Sequence, residues 1–176
     1  MGIQICGIDI RQATPDDATA ACSLLRHSIE QGCAAEHSRR PELLQAWLAN
    51  KTTQNVSTWF ASPSNYAVVA EQAGQLAGLA LLTPAGKLAL CYVAPGRLRS
   101  GIGSELLAAV EACARAWNIS KLHMHSPASA SAFFERHGYV NAGKDKACFG
   151  LECDFLWKQL DAVTPPERKR FCNCSN

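Results

Sequence analysis

The sequence predicts an α/β chain of the α+β kind, with a mixed, mostly antiparallel sheet of about six or seven strands flanked by about four helices. Three observations carry that expectation. Helical and strand-like apolar periods interchange along the chain instead of segregating. Three apolar runs, YAVVAE, LAGLALLT and KLALCYVA, follow one another through the short glycine-bearing connections QAGQ and PAGK. A glycine-bearing turn then leads from the last of them into a long helical pattern. With 176 residues, 48% of them apolar, the chain can bury one sizeable core and is too short for two independent ones.

In chain order, Ile3 to Ile10 alternates as a strand and runs into ATPDDA. There Thr14 suits a cap, Pro15 a first helical position, and Asp16 and Asp17 the positive helix end. Ala18, Ala21, Cys22, Leu25 and Ile29 recur at helical spacing up to Gly32, and a second helix starts at Pro41 with Leu43, Leu44, Trp47 and Leu48 inward. The linking GCAAEHSRR is polar and irregular. The three apolar runs read as an antiparallel meander because their connections are hairpin-length. A helix follows with Ile102, Leu106, Leu107, Val110, Cys113, Ala114 and Trp117 on one face, ended by Asn118. KLHMHS is a strand, SASAFFERHG a short helix closed by Gly138, and YVNAG and CFGLECDFLW two last strands. Residues 1 to 162 form one domain in this reading, and 163 to 176 a C-terminal tail without periodicity.

Charge and composition narrow the function. Seventeen basic and fifteen acidic residues leave a formal charge of +2, too mild and too scattered for nucleic acid. MGIQICGIDIRQ has no basic region ahead of a long apolar stretch, and no run of about eighteen apolar residues occurs, so the expectation is a cytoplasmic protein without a membrane span. Nine cysteines are dispersed, with no CxxC pair, and no metal is expected; Cys172 and Cys174 in the terminal FCNCSN lack partner ligands.

The most informative stretch is VAPGRLRSGIGSELL, where an apolar strand becomes a helix through two glycines and two arginines. A helix N-terminus presents unpaired amides and a positive dipole end, and Gly101 and Gly103 let a phosphate approach them. Arg97 and Arg99 add charge-assisted donors. A P-loop is excluded because no GxxxxGK[ST] occurs, and a dinucleotide fingerprint because Ser104, Glu105 and Leu106 supply no third glycine.

CYVAP, then RLRSGIGSELL, then AFFERHGY about thirty residues later, resemble the GCN5-related N-acetyltransferase (GNAT) superfamily, nearest its bacterial small-molecule-type acetyltransferases. The resemblance covers the chain to about residue 160 and implies acetyl-CoA as cosubstrate and a primary amine as acceptor. The family pattern [Q/R]xxGx[G/A] falls on Leu98, Arg99, Ser100, Gly101, Ile102 and Gly103, and the resemblance implies that Arg99, Ser100, Gly101, Ile102, Gly103 and Ser104 bind the pyrophosphate. Leu98 departs from the pattern, but backbone donors are untouched by that change. The resemblance places Tyr92 and Val93 alongside the pantetheine arm. It also places the usual tyrosine proton donor at Phe134, which cannot donate and is expected to line the cofactor arm instead.

Acetyl transfer needs a neutral amine, a polarised carbonyl and a proton for the thiolate. Backbone amides near Val93 suit the second task. Tyr92, Glu36 and His37 are the candidates for moving protons, the last two in the loop that borders the acceptor pocket in this fold. His123 with His125, and Glu152 with Asp154, each share a strand face and read as packing or surface groups. Cys91 reads as a buried strand residue. The expected activity is direct transfer to a small-molecule amine in a ternary complex. A non-catalytic acyl-CoA-binding module, a protein N-terminal or lysine acetyltransferase, and a homodimer through the last strands all remain open.

Overall fold

A short turn, PAGK, fixes how the two halves of the molecule meet. The computed structural model describes residues 7–38, 40–146 and 150–161. Its first sheet has the order β1 (Ile8–Gln12), β2 (Tyr66–Gln72), β3 (Gln75–Leu82), β4 (Leu88–Val93), every neighbour antiparallel. The second has β5 (Lys121–Ser126), β7 (Glu152–Gln159) and β6 (Val140–Lys146) in that spatial order, again antiparallel. The sheets join through a parallel bridge between Lys87 and His123, where the His123 amide donates to the Gly86 carbonyl at 3.0 Å. Gly86 sits at φ +80°, and a Cβ there would lie 2.6 Å from the Lys121 carbonyl oxygen. Only glycine lets the hairpin come this close to β5.

Beyond that bridge no ladder joins β4 to β5 among the described residues, so the two sheets part. The meander of β2, β3 and β4 has the hairpin connections that the sequence expects.

Both faces of the first sheet are covered, which is why its strands read as nearly continuous apolar runs. On one side α5 (Ile102–Ala116) sets Ile102, Leu106, Leu107, Val110 and Ala114 against Val68, Ala70, Ala80 and Leu82. On the other, Ala21 and Leu25 of α1 (Ala18–His27) and Val56 and Phe60 of α4 (Thr53–Ala61) meet Val69, Leu79, Leu81 and Leu90. Neighbouring Val68 and Val69 thus enter different clusters, as the two-residue strand period requires. Trp117, expected inward, is 38% exposed and turns its ring edge toward Tyr66.

Between α1 and β2 the chain makes more helix than the spacing predicts. After α1 it widens into a π-helical turn over Ser28–Gly32, then forms the short α2 (Ala34–His37), α3 (Pro41–Leu48) and α4. The sequence reading had no element at α4. Its signals are there in retrospect: the Thr52 side chain accepts from the Asn55 amide at 3.1 Å as an N-cap, and Val56, Trp59 and Phe60 follow at helical spacing. The last helix is α6 (Ala128–Arg136). The start of the predicted first strand, Cys6, Cys148 and the tail with Cys172 and Cys174 lie outside the described residues.

The turn into α1 is organised by charge. Asp17 accepts from the Thr14 amide and from both Arg11 terminal nitrogens, each at 2.8 Å. The Arg11 hydrogen bonds hold its carboxyl down at about 2, against the desolvation that would raise it. A carboxyl depressed on folding stabilises above its ordinary range and loses that contribution as pH falls through the depressed value.

Two outcomes follow from this architecture. Gly86→Val adds both a left-handed strain and a clash with Lys121, and is expected to cost about 2–4 kcal/mol in urea denaturation. In Arg11→Met the Asp17 carboxyl is expected to titrate back toward the ordinary aspartate value in a carbon-13 NMR titration, with acid unfolding moved to higher pH.

Candidate functional site

The parting of β4 from β5 leaves the edge of β4 open, and the groups predicted from sequence gather on its two sides. In β4 the amide of Ala94 that follows the strand reaches the Ala77 carbonyl at 2.8 Å, toward β3. The peptide groups of Val93 therefore point the other way, into the gap. The carbonyl of Val93 accepts from the Ser28 hydroxyl at 3.0 Å. Its N–H points to the same side as that carbonyl, since both groups of a strand residue share a side. The π-helical turn is what brings Ser28 to this strand end, a placement that π-bulges often serve.

On the α5 side lies the glycine turn. Pro95–Arg97 forms a 3₁₀ turn, Leu98 stands 59% exposed, Arg99 is left-handed at φ +61°, and Gly101 caps α5 at φ +88°. The first intrahelical bond runs from the Glu105 amide to the Gly101 carbonyl at 3.1 Å. The amides of Ile102, Gly103 and Ser104 precede it and lack helical acceptors, forming the positive end of a fifteen-residue helix. Ile102 itself is fully buried and pins the turn to the core. A Cβ on Gly103 would lie 3.1 Å from the Phe133 ring and 3.7 Å from Val93, so the glycine keeps a shallow groove between them.

The side chains of this turn are largely committed elsewhere. Arg97 donates to Gln72 at the end of β2, and the Ser100 hydroxyl donates to the Arg97 carbonyl. His137 donates from Nδ1 to the Phe133 carbonyl at 2.8 Å, which leaves Nε2 to accept from the Ser104 hydroxyl at 3.0 Å. Arg99 is exposed. What this turn offers a ligand is mainly backbone, as the Leu98 departure requires.

Phe134 was expected along the cofactor arm. The structure buries it to 5% exposure in the main core, with its ring edge on Tyr139. Its neighbour Phe133, half-buried beside Gly103 and Val93, is the aromatic that faces the groove. Two adjacent phenylalanines on one helix cannot be told apart by composition, and the choice depends on how α6 rolls against β7.

The opposite face of β4 borders a cavity of about 420 Å³, walled by Trp47, Trp59, Leu90, Tyr92, His125 and Pro127 among others. Tyr92 and Val93, being consecutive, point to opposite sides of the strand. Burial and the Cys33 thiol push the Tyr92 phenol well above its usual range, and the Trp47 indole donates to it. Cys33 is in turn pushed up to about 12 by burial and by Glu36. Glu36, Cys33 and Tyr92 thus form one electrostatically connected group. The Glu36 carboxylate accepts from the Ser129 amide in the first turn of α6 at 2.8 Å through Oε1, while Oε2 is buried without a hydrogen-bond partner.

His37 is placed differently from its neighbour. Its Nε2 donates to the Ile29 carbonyl at 2.9 Å and its ring meets Trp47 edge-on at 6.5 Å. That carbonyl belongs to the π-helical turn, so His37 closes the local backbone. Asp154 accepts from Ser131 and Lys144, and is buried instead of lying on a solvent-facing strand edge. His123 and His125 tilt against Phe155, and His125 also meets Asp145 at 2.9 Å. Burial pushes the Cys91 thiol up to about 12, far from a nucleophile. Ser28, Trp59 and Lys51, all at the site, carry no sequence motif, and Phe133 lies in the AFFERHGY motif beside the residue that the resemblance singles out.

Among the described residues no helix is long and apolar enough to cross a membrane. Curated proteins give no sequence match. Solved structures share the fold. A GCN5-related N-acetyltransferase from Rhodopseudomonas palustris superposes with a TM-score of 0.80 at 23% identity, covering 91% of this chain and 100% of that one. PaiA N-acetyltransferase from Thermoplasma acidophilum, solved with coenzyme A, gives 0.76 at 16% identity over 86% and 98%. YncA from Salmonella typhimurium, solved with its cofactor acetyl-CoA, gives 0.67 at 19% identity over 92% and 98%. The family model for the acetyltransferase (GNAT) domain matches residues 30–153, from the π-helical turn to β7, and the chain belongs to that family.

Proposed function

We propose that the protein is an acetyl-CoA-dependent N-acetyltransferase that acetylates a primary amine of a small molecule by direct attack in a ternary complex. The observation that carries this reading is the position of β4, whose residue Val93 faces the glycine turn while Tyr92 before it faces an aromatic cavity. Relatives of this fold solved with coenzyme A and acetyl-CoA support the assignment of the donor.

The amides of Ile102, Gly103 and Ser104, with the turn Arg99, Ser100 and Gly101, hold the pyrophosphate. Phe133 and Val93 line the path of the pantetheine arm. The Val93 N–H, aimed into the gap, polarises the thioester carbonyl. Glu36 takes the ammonium proton through Oε2, directly or through one water, while the Ser129 amide fixes the other oxygen. The amine nitrogen then bonds to the carbonyl carbon, the C–S bond breaks, the departing thiolate is protonated, and the second proton leaving the nitrogen passes through water to restore the donor. Tyr92, whose burial keeps its proton on the phenol, replaces Phe134 as donor for that last step. His37 acts as a positioning residue that holds Trp47 and the π-helical turn. The cavity, walled by α3 and α4, suits a small acceptor better than a protein chain.

Isothermal titration of acetyl-CoA into Gly101→Asp and Gly103→Asp is expected to show at least about a hundredfold loss of affinity, from like-charge repulsion and, at Gly103, collision with Phe133. Unchanged binding would remove the donor assignment. Glu36→Gln keeps an acceptor for the Ser129 amide but no base. Its kcat/KM is expected to fall about 10²–10³-fold with acetyl-CoA affinity intact. Equal turnover in this variant would take Glu36 out of the mechanism.

A further inference from the structure

The cavity beside Tyr92 carries a charge pattern that acetyl transfer alone does not use. Lys51, in the link between α3 and α4, lines it and is only 7% exposed. Its ammonium donates to Asn50 Oδ1 at 2.6 Å, a neutral acceptor that supplies no counter-charge. Burial holds it below the usual lysine range, and no carboxylate acts against that. A buried ammonium without an anion is costly, and truncation to an apolar side chain would relieve it.

The surroundings reinforce the imbalance. Lys87 and Lys146 also line the cavity, and no aspartate or glutamate does so among the described residues. Behind Lys51, the Arg26 guanidinium donates to its carbonyl at 3.1 Å and adds positive charge. Asp145 is the carboxylate on the β6 side, more than half exposed, and it is engaged by His125 at 2.9 Å and by the Lys146 amide at 2.8 Å. Glu36 is held by Ser129, two residues beyond Pro127 of the cavity wall, and of the two carboxylates that flank Cys153 of the wall, Glu152 and Asp154, the latter is engaged by Lys144 and Ser131. The rings of Trp47, Trp59 and Tyr92 line the same cavity.

We propose that the acceptor amine carries an anionic head group, a carboxylate or a phosphate, that seats on Lys51, with an apolar or aromatic body between the rings. The direction of the amine toward Glu36 rests on the acetyl-transfer reading, whereas the anion site itself does not. The ammonium then gains the counter-charge that the described residues do not supply, and an uncharged analogue leaves it buried without one. That asymmetry is a strong source of discrimination.

Binding and turnover separate the two readings. With CoA present, quenching of tryptophan fluorescence is measured for N-acetylphenylalanine against its uncharged carboxamide, and for N-acetylphosphoethanolamine against N-acetylethanolamine. The anion of at least one pair is expected to bind about 10–100-fold more tightly, and the pair showing it tells carboxylate from phosphate. Lys51→Met is expected to bring the anion down to the affinity of its uncharged analogue, leaving that analogue and acetyl-CoA unaffected. Lys51→Arg keeps the preference. Since the methionine variant removes an unpaired charge, its melting temperature is expected to stay at or above that of the parent. Equal binding within both pairs, or a preference that survives Lys51→Met, overturns the proposal. CoA release with phenylalanine and phenethylamine is followed alongside. Turnover of amines without anion preference in binding sinks this inference and leaves the acetyltransferase; anion preference lost in Lys51→Met without any turnover does the reverse.

Discussion

The bridge between Lys87 and His123 is the constraint on which the functional half of the molecule depends. Had β4 and β5 paired along their length, the edge of β4 would be consumed by a ladder, and neither the groove nor the route across the strand would exist. Parting two strands in an interior leaves polar backbone groups that must be satisfied, at about 1–3 kcal/mol for each one left buried and unpaired. The chain meets this cost locally. Gly86 permits the close junction at one end, and Ser28 supplies a donor for the Val93 carbonyl at the other. The Val93 N–H faces the same gap.

That geometry also divides the charges. The dipole of α5 ends at Gly101 on one side of β4, where a phosphate is favoured. On the other side the first turn of α6 receives Glu36, and Lys51 stands in the cavity wall. Both helix N-termini are thus directed at the seam, each with a different anion: one to be brought by a ligand and one built into the chain. The acidic group that the chain supplies is kept away from the phosphate turn, where it would repel the ligand. The strand between them conducts no charge of its own, but its alternation sends Tyr92 and Val93 to separate compartments.

Much of this was legible before any coordinates. The strand order, the meander and the glycine turn follow from periods of two and 3.6 and from the exclusion of rival phosphate motifs, while α2 and α4 do not. The buried faces of α1 and α5 were readable residue by residue, because Leu25, Ile29, Ile102 and Leu106 have no other face to occupy. What the pattern cannot convey is where elements from distant parts of the chain converge. Ser28 looks like any helical serine until a π-helical turn sets it against a strand sixty-five residues later. Lys51 looks like a loop lysine until α3 and α4 enclose it. His37 and Glu36, adjacent in sequence and equal as candidates, part company because one faces the Ile29 carbonyl and the other the start of α6.

The two departures from the family pattern have different physical weight. Leu98 replaces a polar side chain at a position that is exposed, in a turn whose proposed ligand contacts are backbone amides, so little is lost on that reading. Phe134 replaces a hydroxyl, and the structure shows that the position has been absorbed into the core. The hydroxyl nearest in sequence, Tyr139, cannot take over. It lies buried on Glu111, at 3.3 Å, where Lys158 also binds at 2.8 Å, and both burial and the carboxylate push it up. The Tyr139 hydroxyl is committed to that structural network. Among the described residues at the seam, Tyr92 is the phenol with its proton retained and a wall on the cavity. In the proposed reading the donor moves from α6 to β4, where Tyr92 approaches from the cavity face of the strand and Val93 from the face of the glycine turn.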